Sequence, residues 1–197
     1  MNAPVHVNTQ PRVNALAFEA VAPRRGGRSL FAPLSASLEP GTFLGIVGPN
    51  GSGKSSLLSV VARTGVRATG TVRYGGRDVA RMRSRERAEI LALMTQDSYA
   101  PNELRVLDIV RVGALAGAAA GKGSATDRSH DALEQLGIHD LAARAYSTLS
   151  GGQRQLVQLA RVLAQNSPVM LFDEPTSALD PDHHLTVMHA LHERALA

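Results

Sequence analysis

Short apolar segments and longer amphipathic segments alternate along the chain. The short segments have the length and the flanking turn residues of strands, whereas the longer ones place apolar side chains three and four residues apart, as helices do. This pattern predicts strands at residues 13–20, 29–38, 43–47, 69–74, 89–95 and 169–172. It predicts helices at residues 55–62, 79–87, 153–165 and 182–196. Strands that alternate with helices indicate an α/β fold with a largely parallel sheet.

One region departs from this alternation. Between residues 105 and 147 the spacing of apolar residues is helical and no strand is convincing. We therefore expect a helical subdomain at about residues 97–155, inserted between the core segments 13–96 and 156–197. The polar residues 1–12 are expected to form a flexible tail.

Composition narrows the class of protein. The chain has 197 residues, of which 44% are hydrophobic, so one domain with an insertion can bury a core. It has no cysteine, which excludes disulfides and thiolate metal sites. Neither a signal peptide nor a membrane-spanning segment is predicted, so we expect a soluble, cytoplasmic protein. A net charge of +4 is too small to indicate nucleic acid binding.

Residues 48–55 match the pattern G-x-x-x-x-G-K-[ST] at every fixed position. The predicted strand 43–47 precedes them and a predicted helix follows, so backbone N–H groups and a positive helix end point at one place. Lys54 would reach the β- and γ-phosphates of a nucleotide, and the Ser55 hydroxyl would bind Mg²⁺. A glycine-rich turn without a ligand is the alternative. The predicted nucleotide-binding residues are Gly48, Pro49, Asn50, Gly51, Ser52, Gly53, Lys54, Ser55 and Ser56.

A second candidate site follows the apolar run at residues 169–172. This run is typical of a strand covered on both faces. It ends in Asp173 and Glu174, two adjacent carboxylates. Asp173 would bind Mg²⁺ and Glu174 would orient or deprotonate water as a general base. Many strands end in acids, so the prediction depends on the phosphate loop upstream.

A third candidate is Ser150, Gly151, Gly152 and Gln153 at the start of a predicted helix. Serine and two glycines at a helix N-terminus can bind an anion. The alternative is an ordinary helix N-cap in which Ser150 satisfies free N–H groups.

In this order and spacing, these segments resemble those of the ATP-binding-cassette (ABC) ATPases. Residues 48–55, 149–153, 169–174 and 177–180 resemble the Walker A loop, the signature motif, the Walker B strand and the D-loop, respectively. Gln96 resembles the glutamine of the Q-loop. The resemblance extends from about residue 13 to 197 and implies a P-loop NTPase (RecA-like) core, an N-terminal antiparallel β segment and a helical subdomain.

The resemblance also implies roles for these residues. Two copies, or two paired ATPase subunits, would bind two ATP molecules with Mg²⁺ in their interface. The γ-phosphate held by one copy would be capped by residues 150–153 of the other. Gln96 would reach the Mg²⁺ and the attacking water, so the expected catalytic residues are Glu174, Lys54 and Gln96. Asp180 would lie in the dimer interface, and the helical subdomain would contact a membrane permease.

Two departures from the family pattern are visible. The family usually carries an aromatic residue 25–35 positions before the phosphate-loop lysine, where it stacks on adenine. Residues 19–27 contain none, and the flanking Phe18 and Phe31 are expected in the core. The family's switch histidine would fall beyond Ala197, so we expect that a C-terminal part with this histidine is missing. The late histidines 183, 184, 189 and 192 are expected to be exposed, a metal site at His189 and His192 being the alternative.

Three functions are compatible with these observations. They are the ATPase subunit of a membrane importer, a soluble ABC ATPase outside transport, and a nucleotide-binding remnant without turnover. The first is favoured because no second cassette, coiled coil or transmembrane segment is visible. Residues 106–113 and 173–181 resemble the importers of iron–siderophore complexes, haem and cobalamin. This implies permease subunits, a substrate-binding protein, and a peripheral place on the inner face of the cell membrane.

Overall fold

The computed structural model of the protein describes residues 16–96, 100–117 and 123–196. The chain divides into two compact units, which meet in sequence between Arg83 and Ser84. We describe each unit separately. Within the described ranges, no helix combines the length and the apolar character that crossing a membrane requires.

The first unit contains an antiparallel sheet and one helix. The strands are β1 (Leu16–Arg25), β2 (Arg28–Ser29), β3 (Leu34–Leu38), β4 (Arg67–Tyr74) and β5 (Arg77–Asp78), in the order β2-β1-β4-β5 with β3 also paired to β1. Helix α1 (Lys54–Ala62) packs on β1 and β4. It does so because Leu57, Val60 and Val61 are buried on one side of the helix.

The second unit is mainly helical. Its helices are α2 (Ser84–Ile90), α3 (Val106–Ala116), α4 (Ala125–Gln135), α5 (Gly151–Gln165) and α6 (Pro181–Leu196). Strands β6 (Leu91–Met94) and β7 (Val169–Phe172) form a parallel pair in which Leu91 lies opposite Val169 and Met94 opposite Phe172. Helix α5 packs on α3, α4 and β6, and its apolar side supplies much of the core.

Most predicted elements are found within a few residues of their predicted bounds. The helix predicted at 79–87 is instead a 3₁₀ turn at Val79–Arg81 followed by α2. The strand predicted at 29–38 is interrupted, because β2 ends at Ser29 and β3 begins at Leu34. Residues 13–15 of the first predicted strand lie outside the described residues.

The strand predicted at residues 43–47 is wrong for this structure. Residues 42–49 belong to no helix or strand, and residues 41–50 are all exposed. Apolar side chains favour a strand only where a neighbouring strand and a covering layer are present. The five-stranded sheet and the β6–β7 pair both lack this segment, so its apolar pattern finds no such partner within the described sheets.

The prediction that residues 169–172 form a strand covered on both faces needs a smaller correction. Strand β7 is present, but only Leu171 among its four residues is buried. Its one partner among the described strands is β6. A face of a strand is buried only where another layer packs on it, and the partial exposure of the other three residues shows that this cover is incomplete within the described residues.

Candidate functional site

The phosphate loop has the backbone of an anion site. Gly51 and Gly53 have φ values of 79° and 96°, in the left-handed region that glycine tolerates. Helix α1 begins at Lys54 without a side-chain cap and without an acidic residue in its first turn. The N–H groups of this turn therefore stay available, and the helix dipole adds positive potential. This arrangement can bind phosphate through the backbone.

The Lys54 side chain lies across its own loop. Its Nζ donates hydrogen bonds to the carbonyl oxygens of Gly48 at 2.8 Å and Pro49 at 3.1 Å. Ser55, on the first turn of α1, is exposed. The ammonium and the hydroxyl are thus on the helix end that offers the N–H groups, as the sequence predicts.

Phe31 supports the loop from one side. A Cβ atom built on Gly53 would lie 3.2 Å from the Phe31 ring and 3.3 Å from the Leu30 Cβ. Glycine is therefore required at residue 53 for space as well as for its φ value. Phe18 is in the core as predicted, at 8% exposure. Phe31 is only half-buried, so its predicted place in the core is wrong, because it packs against the loop instead.

In the second unit, the carboxyl ends of two parallel strands bring distant residues together. Gln96 follows β6, and Asp173 and Glu174 follow β7. The Asp173 N–H donates to the Met94 carbonyl at 3.0 Å, which extends the pairing past the strand ends. Gln96 Nε2 then donates to Glu174 Oε2 at 3.3 Å. The predicted amide and general base are therefore direct neighbours.

Asp173 has the surroundings of a cation ligand. It is 9% exposed, and no described residue donates a hydrogen bond to its carboxylate. A mostly buried carboxylate without a donor is costly unless a cation compensates it. The described residues hold no group of three or more histidine, cysteine or acidic side chains for a metal ion. Mg²⁺ commonly binds through one or two carboxylates plus substrate phosphates, so Asp173 fits that ion.

Gln155 fixes the backbone that carries Glu174. Its Nε2 donates to the Glu174 carbonyl at 3.0 Å and to Ser177 Oγ at 3.3 Å, and its Oε1 accepts from the Ala178 N–H at 2.8 Å. Glu174 has a φ of 52°, which non-glycine residues rarely adopt. Such strain persists where surrounding contacts over-determine the conformation. Sequence reasoning missed Gln155, because nothing local distinguishes it from neighbouring glutamines.

Residues 150–153 form a complete capping box. The Ser150 Oγ accepts from the Gln153 N–H at 3.2 Å, and the Gln153 Oε1 accepts from the Ser150 N–H at 3.1 Å. The ordinary helix N-cap, which the sequence analysis gives as the alternative to an anion site, is therefore present in the structure. It leaves the N–H groups of Gly151 and Gly152 at the helix end, so anion binding stays a prediction. A Cβ on Gly152 would lie 3.0 Å from the Ala178 carbonyl oxygen.

Asp180 caps helix α6. Its Oδ1 accepts from the His183 N–H at 3.0 Å, and its Oδ2 lies 2.7 Å from the His183 Nδ1. The backbone bond from His183, followed by the bond to its ring, holds the pKa of the Asp180 carboxyl below its ordinary value. Pro181 stands at the first helical position, where its missing N–H costs nothing. The dimer-interface role predicted for Asp180 stays a prediction.

Together these features define a class of protein. A glycine-rich loop opening a helix, and an Asp-Glu pair at the end of a parallel strand beside a glutamine, are typical of nucleoside triphosphatases with a phosphate loop. The family model described as ABC transporter matches residues 31–177. The chain belongs to the ABC transporter family, as the sequence motifs predict.

Curated relatives give the same assignment. The chain is 40% identical over 183 residues to the hemin import ATP-binding protein HmuV of Pseudomonas entomophila, covering 89% of this chain and 71% of that protein. It is 40% identical over 185 residues to the protein of the same name from Pseudomonas aeruginosa, covering 91% and 72%. It is 37% identical over 173 residues to the one from Streptomyces coelicolor, covering 87% and 62%.

Solved structures agree on the fold. A bacterial Atm1-family ABC exporter with ATP bound has a TM-score of 0.80 and 25% identity, covering 99% of this chain and 35% of that chain. A putative ABC transporter ATP-binding protein from Pyrococcus furiosus has a TM-score of 0.78 and 23% identity, covering 92% and 86%. The predicted P-loop NTPase fold and the ATP-hydrolysing class of enzyme are confirmed. Within the described residues the parallel part of the sheet is limited to the β6–β7 pair, and the five-stranded sheet is antiparallel.

Proposed function

We propose that this chain is the ATP-hydrolysing subunit of an ABC importer that takes up a metal chelate, with haem as the favoured cargo. The relatives named hemin import ATP-binding protein support this choice, since three of them match over 87% or more of the chain. Their names favour neither a non-transport ATPase nor an inactive remnant. The cargo itself would bind the permease, so no residue of this chain is assigned to haem.

The reaction is phosphoryl transfer from ATP to water. The backbone N–H groups of Gly51, Gly53 and the first turn of α1 would bind the phosphates, and Lys54 would stabilise the charge that develops on them. Ser55, Gln96 and Asp173 would hold Mg²⁺, which neutralises phosphate charge when bound. Glu174 would accept a proton from the attacking water.

One observation carries this mechanism. The contact between Gln96 and Glu174, with the three bonds from Gln155 to residues 174–178, orients the general base before any substrate binds. A preorganised group needs no rearrangement at the moment of reaction. Gln96 therefore bonds the carboxylate itself, and Gln155 holds the backbone that carries it.

The assembly follows the family resemblance. Two copies of the chain, or this chain and a paired ATPase subunit, would place Ser150, Gly151, Gly152 and Gln153 of each on the γ-phosphate held by the other. Asp180 would lie in that interface. The helical subdomain, at about residues 97–155 between core segments 13–96 and 156–197, would contact transmembrane permease subunits that receive cargo from a substrate-binding protein. The complex would sit on the inner face of the cell membrane.

The site assignment is tested by separating binding from turnover. Lys54→Ala removes a charge that faces the phosphates, so we expect ATP affinity to fall on the order of 100-fold. Glu174→Gln keeps the binding loop, so we expect unchanged affinity and hydrolysis slowed roughly 10²- to 10⁴-fold. Equilibrium binding and phosphate release measure the two effects.

Arg63→Ala is the control, since it removes a cation from the other end of α1. It should change neither quantity. The assigned roles are wrong if Glu174→Gln loses ATP binding, or if Lys54→Ala binds ATP as tightly as the native chain.

The cargo is tested in cells that lack their own haem importer ATPase. The chain, expressed with its permease and binding protein, should restore growth on haem, and the Glu174→Gln variant should not. Parallel cultures on an iron–siderophore complex and on cobalamin separate the cargo classes. Growth restored only on one of those two would overturn the choice of haem while leaving the importer assignment intact.

A further inference from the structure

Two histidines of the second unit lie close together. His130 is on α4, and His139 begins a 3₁₀ turn at His139–Leu141. The Nδ1 atom of His130 lies 3.0 Å from the Nε2 atom of His139, and the ring centroids are 5.1 Å apart. His130 is half-buried and His139 is exposed, so solvent reaches the pair. Neither ring belongs to the nucleotide site described above.

The chain between the two histidines holds them in place. After α4 the backbone reverses at Gly137, which has a φ of 67°. The Gly137 N–H donates to the Glu134 carbonyl at 2.9 Å, and the Ile138 N–H donates to the Leu133 carbonyl at 2.9 Å. Leu133 and Ile138 are both buried. The turn that carries His139 is therefore fixed against the end of α4, so both rings can contact one ligand at little cost in order.

The distances between the rings match those of two imidazoles on one metal ion. Zinc–nitrogen bonds are about 2.0–2.1 Å long, so two nitrogens on one ion lie about 2.9 Å apart at a right angle and about 3.4 Å apart at a tetrahedral angle. The ring centroids are then about 4.5–5.2 Å apart. Both observed distances lie within these ranges. A hydrogen bond between the rings needs a proton on one of the two nitrogens, and a metal ion can replace that proton.

The segment that carries the pair is acidic. Residues 124–141 contain four carboxylates and one guanidinium, although the whole chain has a net charge of +4. Asp131, Glu134 and Asp140 are exposed. The guanidinium belongs to Arg128, which is buried and donates to two backbone carbonyl oxygens. The exposed charges on these two elements are therefore mainly negative, and such a field attracts cations.

The donor atoms indicate the kind of cation. Imidazole nitrogens suit zinc, copper and nickel, whereas Mg²⁺ and Ca²⁺ prefer oxygen ligands. The described residues hold no group of three or more histidine, cysteine or acidic side chains for a metal ion. The Asp127 carboxylate, one turn before His130, already accepts the Ser124 N–H in the capping box of α4. Water would therefore fill the other positions around the ion, as in open metal sites.

We propose that His130 and His139 form a binding site for one divalent late transition-metal ion, such as Zn²⁺, Ni²⁺ or Cu²⁺. The ion would join two residues that are nine positions apart and so hold the 3₁₀ turn against α4. Both lie in the predicted helical subdomain, for which we propose contact with the permease. The inference does not rest on the proposed function, because no residue of the nucleotide site takes part.

The test measures metal binding by the full chain, purified without a histidine tag and free of nucleotide. In calorimetric titrations with Zn²⁺ and with Ni²⁺, His130→Ala and His139→Ala should each weaken binding roughly tenfold or more, since even groups outside the ligand sphere contribute that much. An excess of Mg²⁺ should not displace the ion. Unchanged affinity in both variants would overturn the proposal, and so would a native chain that binds neither metal.

Cu²⁺ identifies the ligands directly. Pulsed electron paramagnetic resonance should detect two bound imidazoles in the native chain and one in each single variant. Fewer than two in the native chain would overturn the proposal, and this result does not depend on how any variant folds. His139→Asn keeps a hydrogen-bonding group without an imidazole, so it should unfold like the native chain in metal-free urea but bind metal weakly. Native-like metal binding by His139→Asn would show that the ring is not a ligand.

The matched control is His189→Ala with His192→Ala. It also removes two imidazoles, which lie three positions apart on α6. Metal affinity should stay unchanged. If this variant loses the metal and the His130 and His139 variants keep it, the site is on α6 and the proposal fails. ATP binding and hydrolysis should be native in the His130 and His139 variants, so the proposed function stands or fails by the Lys54 and Glu174 variants alone.

Discussion

The phosphate loop and the Glu174 loop are held in different ways. In the first unit, residues 48–53 have few side-chain supports, and α1 begins without a cap. Phe31 and Leu30 contact Gly53, and Lys54 bonds to its own loop. In the second unit, Glu174 is bonded by Gln96, and Gln155 bonds three groups at residues 174–178.

This difference fits the role that we propose for each loop. A backbone that binds phosphate must leave its N–H groups free, so side chains that would cap them are absent. A carboxylate that activates water must keep one direction, so neighbouring side chains fix it in advance. Substitutions in the first loop should therefore affect binding, and substitutions around the second should affect turnover.

The largest expected effect in this comparison comes from Gly53→Ala. The new Cβ would meet the Phe31 ring and the Leu30 Cβ, at a φ of 96° that alanine disfavours. Strain of about 1–3 kcal/mol is expected, which would lower ATP affinity by up to roughly 100-fold. Equilibrium ATP binding measures the loss. Gly76→Ala is the control, because φ there is 78° but no atom lies within 4 Å. Equal ATP affinities for the two variants would contradict the supporting role of Phe31.

A smaller effect is expected from Gln155→Ala. The variant loses three hydrogen bonds to residues 174–178, each worth about 0.5–1.5 kcal/mol, so Glu174 gains freedom. Hydrolysis should slow roughly tenfold while ATP affinity is kept, since misplacement of a reacting group lowers the rate. Single-turnover phosphate release measures the change. Gln135→Ala, at the exposed end of α4, is the control. A loss of ATP affinity with an unchanged rate of hydrolysis would contradict the expectation that the Glu174 loop affects turnover and not binding.

Two substitutions of Ser150 can separate its role as the cap of α5 from its proposed contact with phosphate. Ser150→Ala removes the cap of α5 and should lower the free energy of unfolding by about 0.5–2 kcal/mol. Ser150→Asp keeps a good cap but places a negative charge where the γ-phosphate is proposed to bind. It should unfold like the native chain in urea and lose hydrolysis. Native-like hydrolysis by Ser150→Asp would show that Ser150 caps α5 and does not contact the phosphate.

The smallest expected effect is on the pH dependence of the stability that Asp180 contributes. Its pKa is lowered in the folded state, so its contribution to stability is present above the unfolded value of about 3.9. That contribution is lost as the pH falls through the folded pKa. The urea midpoint of Asp180→Ala should therefore lie below that of the native chain at pH 7, and the gap should close at acidic pH. Asp131→Ala, on the exposed side of α4, should show no such gap. A gap that persists after Asp180 is protonated would show that the carboxylate charge is not what stabilises α6.

Local motifs were predictable because contiguous residues encode them. The phosphate loop needs left-handed backbone at Gly51 and Gly53, and glycine supplies it wherever the chain folds. The start of α5 needs a capping residue, and Ser150 supplies it. Helix α1 and strand β7 follow from apolar spacing over a few residues.

Contacts between segments that are far apart in the sequence were harder to predict. Gln96 and Glu174 are 78 positions apart, and only the resemblance to a family connected them before the parallel pairing of β6 and β7 was seen. Gln155 carried no signal, since its partners lie 19 to 23 residues further along. At residues 43–47 the apolar pattern predicted a strand that the described sheets do not contain. An apolar run becomes a strand only if another strand pairs with it.

The amino-acid sequence specified the chemistry of each loop: glycines and a lysine for phosphate, two carboxylates after a strand, and serine and glycines at a helix start. These depend on backbone preferences and side-chain groups that short segments carry with them. The tertiary structure decided which groups meet, namely Gln96 with Glu174, Gln155 with residues 174–178, and Phe31 with Gly53. Such meetings depend on sheet register and helix packing, which arise from many weak contacts summed over the whole fold.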